Sequence, residues 1–102
     1  SLVIQQERVP WMNGAELYAE TGQFADGARR NREYFSRWIR YEVMLNEWQD
    51  LLMYDPQTSG GLLLSVDEDY VSDLLLQLED RGVFGQIVGD AVAGRHGEII
   101  VI

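Results

Sequence analysis

The stretch Asp55-Pro56-Gln57-Thr58-Ser59-Gly60-Gly61 constrains the fold more than any other. Pro56 has no N–H to give a helix and pushes Asp55 toward extended backbone, so a helix arriving from upstream has to stop there. Upstream, Leu45, Trp48, Leu51 and Leu52 recur at helical spacing. Downstream, Gly61 to Val66 is a short apolar run of strand length. With a helix ending on one side of the loop and a strand expected on the other, an all-α or an all-β fold is excluded.

The rest of the chain reads the same way. Leu2 to Gln5 is β-branched enough for a strand, and Pro10 keeps Val9 extended. Asn13 is placed to cap a helix running to about Thr21, with Met12, Ala15, Tyr18 and Ala19 on its apolar face and Gly22 as its stop. Asp26-Gly27 marks a turn into a second helix, in which Phe35, Trp38 and Ile39 form one buried stripe. Asp67, Glu68 and Asp69 complement the positive start of a further helix, whose inner face is Val71, Leu74, Leu75 and Leu78 and whose stop is Gly82. Phe84 to Val92 is expected as a strand with a bulge at Gly89. The turn Ala93 to Gly97 then leads to a last strand, Glu98 to Ile102, completing a hairpin. The predicted fold class is α+β, a mixed sheet covered by helices, in a single domain over residues 1–102. The chain opens on Ser1 and directly on an apolar strand, which raises the expectation of further sequence upstream.

Composition narrows the function. No cysteine is present, so disulfides and thiolate metal sites are excluded. The formal net charge of −9 argues against a nucleic-acid partner, which needs a basic footprint. No apolar run reaches the ~20 residues of a membrane helix, and the expected location is the cytoplasm. All eight basic residues are arginines, and Arg29, Arg30, Arg32, Arg37 and Arg40 cluster in one segment against Asp26 and Glu33. Guanidinium forks suit oxyanions, so this segment is either a phosphate or carboxylate contact or a solvated helix face. Arg29, Arg30 and Asn31 are expected near a helix start, where free N–H groups attract anions.

Several common chemistries find no support. His96 stands alone in a glycine-rich turn and cannot build a zinc site. Ser59 lacks the G-x-S-x-G frame of a nucleophile elbow. The Asp55–Gly61 loop lacks the G-x-x-x-x-G-K-[ST] pattern and precedes a strand rather than a helix, so it is no P-loop. What it does offer is hydroxyls at Thr58 and Ser59, unshielded N–H groups at Gly60 and Gly61, and an Asx-type acceptor at Asp55. Such a loop is either a structural turn or, beside the arginines, one side of a polyanion pocket.

Three stretches carry a family resemblance. "DPQTSGGLL", Asp55 to Leu63, closely resembles the C-terminal part of the selenophosphate synthetases (selenide, water dikinases). "GARRNREYF", Gly27 to Phe35, is similar to that family's P-G-G-T-R-R-N signature, and "QIVGDAVAG", Gln86 to Gly94, to its closing I-G-E-V strand. The first is the specific signal, and the three occur in the family's order. Where the family has Gly-Gly-Thr, this chain has Asp26-Gly27-Ala28, which removes a hydroxyl and adds a carboxylate before Arg29.

The resemblance implies part of the C-terminal domain of the aminoimidazole ribonucleotide synthetase-like type, with an N-terminal ATP-binding domain elsewhere. It implies a dimeric enzyme making selenophosphate from selenide, ATP and water with the help of Mg2+. The family's reactive cysteine or selenocysteine, its lysine and its metal-binding aspartates have no counterpart in this sequence. No catalytic or metal-ligating residue is therefore expected here, nor a ligand bound to this chain alone. The implied contribution is one wall of a phosphate or substrate cleft, from Arg29, Arg30, Asn31, Asp55, Gln57, Thr58, Ser59, Gly60 and Gly61. Two alternatives stand beside it: a non-catalytic packing and dimerisation module, or the corresponding domain of another ATP-dependent enzyme of that superfamily.

Overall fold

A computed structural model describes residues 1–102 and shows an α+β fold with a four-stranded mixed sheet. The strands are β1 (Leu2–Ile4), β2 (Ile39–Tyr41), β3 (Gly89–Ala91) and β4 (Ile99–Val101). The helices are α1 (Ala15–Glu20), α2 (Asp26–Phe35), α3 (Glu47–Leu52) and α4 (Glu68–Asp80), with single 3-10 turns at Gln6–Arg8 and Ser36–Trp38. The sheet order is β2-β4-β1-β3, with β1 parallel to β4, β4 parallel to β2, and β1 antiparallel to β3.

The expected hairpin between the last two strands does not form. β1 lies between them, and Ser1 exchanges backbone bonds with Val92 while its hydroxyl donates to the Arg95 carbonyl. The turn at residues 92–97 therefore wraps around the beginning of the chain. Gly89 is not a bulge either, because the register Leu2↔Ala91, Val3↔Asp90, Ile4↔Gly89 is unbroken. A Cβ at Gly89 would strike the Val3 backbone carbonyl, so glycine is needed for close approach of the two strands.

Two further expectations change. Helix α2 ends at Phe35, and Ile39, read as part of a helical stripe, instead begins β2. The β-branched Ile39 fits a pleated strand next to β4 better than a fourth helical turn. Phe35 and Trp38, expected to be buried, remain exposed and pack with Tyr34 as an aromatic cluster. Gly61 to Val66 pairs with no strand, and Leu62, Leu63 and Leu64 are 87%, 69% and 56% exposed.

The helix punctuation is largely as expected. Gly22 and Gly82 both have positive φ just after α1 and α4, the left-handed stop that glycine adopts without penalty. Asn13 does not cap α1; Gly14, with φ of 86°, takes that place. Asp67 caps α4 by accepting from the Asp69 N–H, and Val71, Leu74, Leu75 and Leu78 share the less exposed face of the helix. That face closes on Gly85, where a Cβ would lie 2.8 Å from Leu78 Cδ1. Burial is confined to Ala19 on α1, Ala28 on α2, Leu51 on α3, Tyr54 just after it and Val101 on β4, and α3 packs against both α1 and α2.

Candidate functional site

The arginine segment and the Asp55–Gly61 loop meet at their bases. Helix α2 presents Gly27 to Pro56 so closely that a Cβ there would lie 2.8 Å from the proline ring. One turn on, the Asn31 side-chain amide donates to the Tyr54 carbonyl at 3.0 Å. Tyr54 is only 5% exposed, and the loop leaves the protein body directly after it. Two distant stretches of sequence are thereby joined across 23 residues.

Beyond that anchor the loop has few internal restraints. The Gln57 N–H donates to the Asp55 carbonyl, and the Gln57 side chain lies over Gly60. Thr58 and Ser59 are exposed and make no side-chain hydrogen bond, and nothing stands within 4 Å of a Cβ at Gly61. Arg30 is exposed and forms no ion pair. Arg29, Arg30 and Asn31 are the fourth to sixth residues of α2, so the N–H groups at the very start of the helix belong to Asp26, Gly27 and Ala28, and that of Ala28 already donates to the Ala25 carbonyl at 2.9 Å. That end carries the Asp26 carboxylate and is covered by Pro56 at Gly27. Ala28 is fully buried, so the position where the resembled family has threonine serves packing in this chain.

Next to this junction lies a cleft of about 510 Å³ lined by Arg29, Arg32, Glu33, Ser36, Tyr41, Asp50 and Tyr54. Asp50, on α3, is its centre. Its Oδ1 accepts from the Tyr41 hydroxyl at 2.7 Å, and its Oδ2 accepts from Arg32 Nη1 at 3.2 Å. The Tyr54 hydroxyl is 3.2 Å from that of Tyr41. Burial pushes the Tyr41 hydroxyl well above the usual tyrosine range, reinforced by its bonds to Tyr54 and Asp50. Burial also raises Tyr54, aided by the Asp50 charge, against the opposing effects of Tyr41 and Arg32. Both phenols thus keep their protons to higher pH than an exposed tyrosine does.

The cleft is charge-compensated. Arg32 pairs with Asp50, Arg29 lies 3.8 Å from Glu47, and Glu33 adds another negative charge. A second pocket of about 280 Å³ is mostly apolar, with Asn31 and Asp55 among its polar groups. Arg30, Gln57, Thr58, Ser59, Gly60 and Gly61 line neither. No three histidine, cysteine, aspartate or glutamate side chains converge to hold a metal ion. The Tyr41–Asp50–Tyr54–Arg32 group was not singled out from sequence. Its only trace there is a carboxylate, Asp50, placed inside the apolar Trp48–Leu52 run.

The structure joins an α+β layer, a charge-compensated cleft and an exposed glycine-rich loop, and comparison with known proteins supplies the relationship. No family model matches the chain. The selenide, water dikinase of Campylobacter jejuni (strain RM1221) is 36% identical over 101 residues, covering 99% of this chain and 28% of that protein. The selenide, water dikinase of Clostridium botulinum (strain Alaska E43 / Type E3) is 36% identical over 102 residues, 99% of this chain and 29% of the relative. That of Carboxydothermus hydrogenoformans is 32% identical over 94 residues, 92% and 27%. The chain is homologous along nearly its whole length to a part of the selenide, water dikinases, and spans little more than a quarter of their length.

Proposed function

We propose that the chain is the C-terminal part of a selenophosphate synthetase, a cytoplasmic, dimeric enzyme that makes selenophosphate from selenide, ATP and water. In this reading its fold is the partial C-terminal domain of the aminoimidazole ribonucleotide synthetase-like type, and its partner is an N-terminal domain that binds ATP. The segment alone is inactive and supplies one wall of the phosphate and substrate cleft. The observation that carries the reading is the junction of the two signature stretches, Gly27 against Pro56 and Asn31 on the Tyr54 carbonyl. It brings an uncompensated arginine, Arg30, onto the helix that anchors a loop with unengaged hydroxyls and N–H groups.

Phosphoryl transfer is mostly positioning and charge stabilisation. Arg30 would act as a charged donor to a phosphate oxygen, and the Thr58 and Ser59 hydroxyls and the Gly60 and Gly61 N–H groups as neutral ones. Arg29 and Asn31 would hold the helix side of the wall, and Asp55 and Gln57 the shape of the loop. ATP, when bound, supplies the phosphoryl group. In this reading Mg2+ would be held by residues outside this chain.

In the intact dikinase containing this segment, Arg30→Ala is expected to lower selenophosphate formation, followed by 31P NMR, by about tenfold or more. Loss of a charged hydrogen bond of about 1.5–3 kcal/mol corresponds to that rate effect. Thr58→Val is expected to lower it about threefold to tenfold, as for a neutral bond of about 0.5–1.5 kcal/mol. Unchanged rates in both variants would contradict the cleft-wall reading.

The exposed Leu62–Leu64 segment favours a second reading, in which the chain is a packing and dimerisation module. An exposed apolar stretch with no partner strand is a template for association. Sedimentation of the 102-residue chain then shows a concentration-dependent dimer that Leu63→Lys disrupts, whereas a strict monomer at high concentration excludes this role.

A further inference from the structure

We infer that Asp50 is a positioning residue whose carboxylate sets the angle between the arginine helix and the Asp55–Gly61 loop. The inference rests on the cleft-wall reading above and extends it to a residue outside every signature stretch. Three elements converge on this one side chain. Arg32 reaches it from α2, Tyr41 from β2, and Asp50 itself stands on α3, five residues before the loop begins. Tyr41 passes the restraint on, because its hydroxyl lies 3.2 Å from that of Tyr54.

Tyr54 is where the loop takes its direction. Its N–H donates to the Leu51 carbonyl, its own carbonyl accepts from Asn31, and its ring is buried. Beyond it, Thr58 and Ser59 have no side-chain bonds that could correct a wrong exit angle. Arg32 lies two residues after Arg30 on α2, so the bond to Asp50 also fixes the rotation of that helix and the direction in which Arg30 points. The Arg32 and Asp50 side chains are only 34% and 23% exposed, which shields the pair more than a surface ion pair.

Asp50 acts through charge and geometry and touches no substrate. Asp50→Asn keeps the shape and leaves one acceptor, but its amide NH2 opposes the donors of Arg32 or Tyr41. A small misplacement of catalytic groups can cost up to about a hundredfold in rate. In the intact dikinase, Asp50→Asn is therefore expected to lower kcat about tenfold to a hundredfold with the KM for ATP changed less than about threefold, since the nucleotide is held mainly elsewhere in this reading. Asp50→Glu, which retains the charge, is expected to recover part of kcat. On the 102-residue chain, Asp50→Asn is expected to shift the amide resonances of residues 55–61 and 29–31 while most of the spectrum stays in place.

An Asp50→Asn enzyme with wild-type kcat would overturn the inference, as would an equal loss in Asn and Glu variants or a proportionate rise in KM. If the chain variant unfolds, Tyr41→Phe, which removes one donor to Asp50 and keeps the ring, gives the same test with a smaller kcat loss expected. Failure of Asp50→Asn beside an impaired Arg30→Ala enzyme refutes positioning alone. If the Arg30 and Thr58 variants are also unimpaired, the cleft-wall reading falls and the inference falls with it.

Discussion

Tyr41 keeps its proton because burial, its bond toward Tyr54 and its bond to Asp50 all disfavour the phenolate. In the unfolded chain the same phenol ionises near its ordinary value of about 10. The folded state thus holds a proton that the unfolded state releases first, and the stabilisation is complete below about pH 10 and lost as pH rises further. The expected outcome is a melting temperature that falls above about pH 10 in the wild type and falls less steeply in Tyr41→Phe, as read by circular dichroism melts. Parallel pH profiles would show that the phenol is not held neutral by the fold. Gly89 offers a second check at this scale. Its Cβ would meet the Val3 carbonyl, so Gly89→Ala is expected to destabilise by about 1–3 kcal/mol in urea unfolding. A variant as stable as wild type would mean that β1 and β3 are not so close. Nothing in the sequence distinguishes this glycine from a bulge, since close approach to a strand more than 80 residues away leaves no local mark. The same is true of Asp50, whose partners Arg32 and Tyr41 lie 18 and 9 residues away.

Among the elements, helix ends were the most legible, because capping is local chemistry. Asp67, Gly22 and Gly82 do what their residue types predict. Helix α3 shows the strongest cap: Asn46 Oδ1 accepts from the Gln49 N–H while Gln49 Oε1 accepts from the Asn46 N–H, each at 3.0 Å. Asn46→Ala removes the Oδ1 acceptor and leaves the Gln49 N–H uncapped, while the residue-46 N–H remains; it is expected to cost about 1 kcal/mol by chemical denaturation, whereas no change would imply that packing alone holds α3. Strands of three residues were less legible. Ile39 belongs to β2 because β4 lies beside it, although its spacing from Phe35 and Trp38 satisfies a helical stripe equally well. Gly61 to Val66 has strand composition but no partner strand, and composition cannot say whether a partner is present.

Across the whole molecule, three of the four strands come from the two ends of the chain, with β1 flanked by β3 and β4, and β2 joins from the middle of the chain beside β4. Its α+β class is legible in the β-branched run at Leu2–Ile4 and the apolar run at Ile99–Val101 beside the helical patterning, and not in the stretch after Pro56, while the strand order depends on pairings that the sequence does not display. Only five of 102 residues are fully buried, and large apolar side chains such as Met44, Leu62 and Phe84 are 97%, 87% and 72% exposed. A surface of that kind fits a segment that packs against more protein, in line with relatives more than three times its length. On this account the 102-residue chain alone binds ATP and Mg2+ only weakly, so an NMR titration shows no saturation below about 1 mM, and micromolar saturation would show instead a self-sufficient nucleotide site.

The central claim is that α2 and the Asp55–Gly61 loop form one wall of one cleft. Under the proposed function, hydrogen exchange of the full-length protein, followed by mass spectrometry with and without ATP and selenide, tests it most directly. The account predicts that residues 26–32 and 55–61 gain protection together when substrates bind. Protection of one stretch without the other, or of neither, would contradict it.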